Sequence, residues 1–91
     1  MTSLPAELET IKNGLLDIMR DLINVDRDKA TLDARLIEDL EIDSLDMVEL
    51  IMVLERRFHV IFDEDDTDQL STILDVVMYI DGKIKERDIR S

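Results

Sequence analysis

The sequence predicts an all-α fold: a small four-helix bundle of three longer helices and one short one, with a long first loop. Three observations carry that expectation. Apolar residues recur at three- and four-residue steps in three separate stretches, the spacing of one helix face. Helix breakers are scarce, with one Pro and two Gly in 91 residues. There is no cysteine and aromatics make up only 3% of the chain, so the core must be built from aliphatic packing without disulfide staples. A single domain over residues 1–91 is expected, near the lower end of what folds unaided, with frayed ends at about 1–4 and 85–91.

Leu4, Leu8, Ile11, Leu15, Ile18 and Leu22 define the first helix, from about Pro5 to about Ile23. Pro5 suits the first helical position, and Glu7 and Glu9 favour the positive end of the helix dipole. Gly14, inside this pattern, costs about 1 kcal/mol against Ala and points to a close helix approach. Residues 24–43 show no sustained period; Leu32, Leu36, Ile37, Leu40 and Ile42 stand among charges, as in a loop pinned to a core. A loop of that length in a small domain usually has a task.

The second helix is expected from about Ser44 to about His59. At about 100° per residue, Met47, Leu50, Ile51, Leu54 and Phe58 fall in one sector and form the core stripe. Leu45, Val48 and Met52 form a second apolar stripe about 130° away, bordered by Glu49 and Arg56 on one side and Glu55 on the other. An exposed apolar strip rimmed by charge is an interaction surface. A short helical turn is expected in the acidic stretch from Asp63 to Leu70. Ser71 or Thr72 then caps a last helix with a stripe of Ile73, Val76, Val77, Ile80 and Ile84. Met47 and Met78 are expected in or near the core, and Tyr79 at its edge with its hydroxyl in water.

The net charge of -12 excludes nucleic acid, which needs Lys and Arg to displace its counterions, and opposes binding to anionic membranes. Protein partners with basic patches are favoured instead. No apolar run reaches membrane length and residues 1–30 lack the pattern of a signal peptide, so a cytoplasmic monomer is expected. His59 is the only histidine and has no companions for a metal site or a triad. The acids from Asp63 to Asp68 fail as an EF-hand, because Asp68 stands where Gly is required and Leu74 where the bidentate Glu belongs. No metal site and no catalytic residue is predicted.

The chemistry points to Asp43-Ser44-Leu45-Asp46. A Ser at a helix start lies beside unpaired N–H groups and the positive dipole end, where a phosphate ester is well placed. Asp43 can cap those N–H groups and leave the Ser44 hydroxyl free. Taken alone, such a dipeptide is most often a plain helix cap. Its surroundings argue for more: between Leu36 and Glu55 stand seven acids (Glu38, Asp39, Glu41, Asp43, Asp46, Glu49, Glu55) and no Lys or Arg.

The run from Leu40 through Ser44 to Leu50, continued by Ile51-Met52-Val53-Leu54-Glu55 and Phe58, resembles the phosphopantetheine attachment motif of the acyl carrier proteins. The likeness extends over roughly residues 8–84. It implies a four-helix carrier in which Ser44, flanked by Asp43 and Leu45, receives 4′-phosphopantetheine from coenzyme A through a phosphopantetheinyl transferase. It also implies docking of acyl-activating, condensing or acyltransferase enzymes through their basic patches. The matching docking positions are Asp43, Asp46, Glu49 and Glu55, with Leu45, Val48 and Met52 as the apolar part. The chain departs from the family pattern in four places: Phe62 stands where a Pro is usual, the N-terminus is several residues longer than in the compact members, and two departures lie nearer Ser44. Glu41-Ile42 replaces the small residues, often Gly then Ala, that usually precede Asp-Ser. Arg56-Arg57 replaces further acids, and Arg56, beside the stripe, would repel part of a basic patch. These departures point to a specialised carrier for fatty acid or related lipid biosynthesis. The alternatives are a polyketide or aminoacyl carrier, or an unmodified acidic helical adaptor.

Overall fold

The computed structural model describes residues 4–90, with side chains through Asp88. Helix α1 spans Ala6–Ile23, and Pro5 takes the N-cap position rather than the first helical one because its ψ of 151° is extended. At the other end Asn24 enters the left-handed region with φ 58°, and the N–H groups of Asn24 and Val25 return to the Arg20 and Met19 carbonyls. Ile11, Leu15 and Ile18 are buried as the stripe predicts, and so are Gly14, Leu16 and Met19. The buried face is wider than one stripe because α1 packs against two neighbours, α2 (Ser44–Phe58) and α4 (Ile73–Arg90). Gly14 of α1 faces the Phe58 ring of α2. A Cβ there would lie 2.9 Å from Phe58 Cζ, closer than real Cβ contacts allow.

The long connection is ordered by contacts to both sides. A 3-10 turn over Arg27–Lys29 is capped by the Asp26 carboxylate, which accepts the Asp28 N–H, and Arg27 reaches back to Asp17 at 2.9 Å and Asn13 at 3.1 Å. Further on, the loop is stitched to the start of α4. The Leu36 N–H donates to the Ser71 carbonyl at 2.8 Å, and the Ile73 and Leu74 N–H groups donate to the Ala34 and Leu32 carbonyls. Ala30, Ala34, Leu36 and Ile42 fill the core beneath it.

Helix α2 buries Leu50 and Leu54, with Met47, Ile51 and Phe58 packed at the edge of the same cluster. It ends at His59, left-handed at φ 56° and exposed. Helix α3 is a single turn, Glu64–Thr67, with no buried residue. The start of α4 is fixed by a reciprocal cap: the Asp75 carboxylate accepts the Ser71 and Thr72 N–H groups, and the Thr72 hydroxyl accepts the Asp75 N–H. Ile73, Val76, Val77 and Ile80 are buried, and Ile84 packs at the edge.

Two expectations about α4 are corrected. Met78 is 49% exposed, since it lies about 140° round the helix from Ile73 and so off the core stripe. The Tyr79 hydroxyl is engaged, accepting the Asp63 N–H and donating to Asp66, both at 3.0 Å. Its ring packs on Phe62 with centroids 4.9 Å apart, and the loop after α2 is tied to α4. The helix also continues through Lys85 to Arg90. It is supported there by the Lys85–Asp81 ion pair and by Arg87 Nη1, which donates to the Phe58 and His59 carbonyls at 3.0 and 2.9 Å. The expected fraying at residues 1–3 and at Ser91 lies outside the described residues.

Candidate functional site: the N-terminus of α2

The loop delivers Ser44 to the first position of α2 through a constrained approach. Ile42 is buried, and its N–H is held by the Leu36 carbonyl at 3.1 Å. Before it, Glu41 adopts φ 56°, the left-handed region that disfavours a residue with a Cβ. Gly takes that conformation without penalty, and this chain takes it with a side chain that carries a Cβ.

Asp43 is the N-cap. Its carboxylate accepts the Asp46 N–H at 2.9 Å, and its carbonyl receives the Met47 N–H. Ser44 is exposed, and among the described residues no hydrogen bond engages its hydroxyl. A free, accessible hydroxyl at the positive end of a 15-residue helix fits a phosphodiester. Among the described residues no acid or base is hydrogen-bonded to it.

The outward face of α2 presents Leu45 (77% exposed), Val48 (56%) and Met52 (50%) as a continuous strip. Glu49 and Arg56 are exposed along one border, and Asp46 is half-buried near its start. Glu55 behaves differently from the rest of the predicted set. Its carboxylate accepts the Phe62 N–H at 2.9 Å and braces the turn after α2.

The seven acids therefore fall into three groups. Glu38 and Asp39 pair with Arg35, whose backbone N–H and guanidinium hold the Asp39 carboxyl below its usual range. Glu55 is taken up by the loop. Glu41, Asp43, Asp46 and Glu49 make no ion pair among the described residues and leave a negative field around Ser44. The expectation that Ile37 helps pin the loop to the core is corrected: it is 61% exposed, between the core anchors Leu36 and Leu40. The sequence reading missed Ile61, 75% exposed after α2. Among the described residues no cluster of His, Cys, Asp or Glu is arranged to hold a metal ion, and no helix is long and apolar enough to cross a membrane.

The family model of the phosphopantetheine attachment site matches residues 13–80, the stretch that holds this geometry. The chain is 39% identical over 79 residues to the acyl carrier protein of Thermotoga maritima, covering 87% of this chain and 98% of that one. It is 40% identical over 72 residues to that of Akkermansia muciniphila, covering 79% and 90%. The acyl carrier protein of Campylobacter fetus is similar too, at 42% over 66 residues. The chain belongs to the acyl carrier protein family. It is a carrier and not an enzyme, and its prosthetic group is 4′-phosphopantetheine. When bound, that group supplies the thiol that a cysteine-free carrier lacks.

Proposed function

We propose that Ser44 is the attachment point and that this cytoplasmic chain is a specialised carrier of acyl thioesters for fatty acid or related lipid biosynthesis. The observation that supports it most is the division of labour at the start of α2. Asp43 satisfies the helix end, so the neighbouring hydroxyl is left exposed and unengaged. Asp43 and Leu45 flank the ester, and the first-turn N–H groups and helix dipole favour its charge. The transferase supplies the base, because this chain offers none at hydrogen-bond distance. The strip of Leu45, Val48 and Met52, with Asp46 and Glu49, receives the transferase and the acyl-handling enzymes through their basic patches. Tethering then gives the carried group a high local concentration at each partner's active site.

Specialisation is supported by two of the departures from the family pattern, Glu41 at the left-handed turn and Arg56 beside the docking strip. The deciding experiment is intact mass before and after incubation with coenzyme A and a broad-specificity phosphopantetheinyl transferase, with Ser44→Ala alongside. Gain of one phosphopantetheinyl group by the wild type alone is expected. A modified Ser44→Ala chain would move the attachment elsewhere, and two unrelated transferases that both leave the wild type unmodified would remove the assignment.

A further inference from the structure

Glu49 and Arg56 border the same exposed strip with Met52 between them, and they carry opposite charges. From this we propose that the acyl-handling partner of this carrier has a two-signed docking surface. It is basic where it meets Glu41, Asp46 and Glu49 near Ser44, and it presents a carboxylate where it meets Arg56. The inference rests on the α2 docking reading above and specifies the partner's chemistry.

The ordinary explanation of Arg56 is a cation at a helix C-terminus, where it complements the dipole. That need is already met here. Arg87 Nη1 donates to the Phe58 and His59 carbonyls at 3.0 and 2.9 Å, so a guanidinium from α4 caps the end of α2. Arg57 lies about 100° further round the helix and is within electrostatic reach of Asp17 on α1, whose carboxyl is held below its usual range chiefly by the hydrogen bond it accepts from Arg27 and least by Arg57. Arg56 is exposed and makes no ion pair among the described residues. Its neighbour in sequence, Glu55, has its carboxylate on the Phe62 N–H. The end of the strip away from Ser44 thus carries a cation that the fold does not use.

Distance decides whether a partner senses one neutral patch or two poles. At about 1.5 Å per residue, Glu49 and Arg56 are about 10 Å apart along the axis. Screening at physiological salt acts over about 8 Å. Arg56 is therefore presented to a partner as a separate positive pole, about 18 Å along the axis from Ser44. A uniformly basic patch would place like charge on it, which costs both encounter rate and affinity.

The test uses the full chain carrying one phosphopantetheinyl group, confirmed by mass, as wild type, Arg56→Glu, Arg56→Gln and Glu49→Lys. The probe is a carrier-dependent condensing enzyme whose docking patch holds only Lys and Arg, with variants in which each of those cations is replaced singly by Glu. With the all-basic enzyme, Arg56→Glu is expected to raise kcat/KM about tenfold, mainly through KM and less at high salt, with Arg56→Gln in between. One Glu variant of the enzyme should reverse the order and favour the wild-type carrier. If Glu49→Lys loses activity while both Arg56 variants match the wild type on every enzyme, docking through α2 stands and the carboxylate partner is overturned. If neither position matters in a loaded carrier, the α2 docking reading itself fails and takes this one with it.

Discussion

The Asp43 carboxylate accepts the Asp46 N–H at 2.9 Å, and through that bond the α2 end is capped from one residue outside the helix. The side chain immediately after it is thereby released from capping. Replacing Asp43 with Ala is expected to lower stability by about 1 kcal/mol, a fall in Tm of about 4–8 °C for a domain of this size. Asp43→Asn keeps an accepting oxygen and should retain most of the stability that the Ala variant loses. Thermal melts of the two variants check this. In the Ala variant Ser44 is the remaining side chain able to cap, so its rate of phosphopantetheinylation should fall beyond the change in folded fraction.

Glu41 makes a left-handed turn at φ 56°, a conformation that costs a residue with a Cβ about 1–2 kcal/mol. Glycine removes that strain but adds freedom to the unfolded chain, worth about 0.5–1 kcal/mol. Glu41→Gly is therefore expected to raise stability by about 0.5–1 kcal/mol. Glu41→Gln, which removes the charge and keeps the Cβ, isolates the backbone effect in denaturant titrations. Equal stability of the two variants would show that the charge, and not φ, is what matters.

Helix α3 has no buried residue, and the Tyr79 hydroxyl bridges the Asp63 N–H and the Asp66 carboxylate across it. Burial pushes the Tyr79 hydroxyl up from its ordinary value, so it stays protonated and able to donate throughout the neutral range. Tyr79→Phe keeps the ring on Phe62 and deletes only the bridge. Global stability should fall by about 1 kcal/mol. Amide exchange should accelerate from Asp63 to Thr67 well before it does in α1 or α4, and uniform acceleration would argue against a local latch.

Four carboxyls are held below their ordinary value: Asp75 by the Ser71 and Thr72 N–H groups, Asp63 by Lys83, Asp39 by the Arg35 backbone, and Asp17 by Arg27. A carboxyl depressed in the folded state adds stability that is fully present above its unfolded value near 3.8 and is lost as pH falls through the folded value. Stability should therefore drop steeply below about pH 4. Asp75→Ala should cost about 1 kcal/mol at pH 7 as a lost cap, and its gap to the wild type should narrow in acid. At neutral pH the charge of -12 makes the fold self-repelling, so added salt should raise Tm. A pH-independent gap for Asp75→Ala would show that the depressed carboxyl is not what the acid limb reports.

The three long helices were legible because each repeats an apolar stripe for several turns, and the carrier family because the residues around Ser44 match a specific motif. Gly14 was legible too: a helix breaker kept in a strong helix signals a close neighbour, here Phe58. Met78 was misplaced although its position round α4 was already available from helical geometry. The roles of Tyr79 and Glu55 were not legible, since both depend on partners in other elements, Asp63 with Asp66 and Phe62, whose approach no local pattern encodes. Glu41 was noted as a departure, but its positive φ follows from where Leu36 and Ile42 anchor the loop, a tertiary constraint.

The loop before Ser44 is pinned by hydrogen bonds from Leu36 to Ser71 and from Ile73 to Ala34, so it takes its shape from a segment far downstream. Contacts so distant in sequence form late, once the intervening chain has collapsed. A chain whose last helix has not docked therefore lacks the hydrogen bonds that shape the approach to Ser44. The shape around Ser44 is thus a property of the completed fold rather than of the segment that carries it.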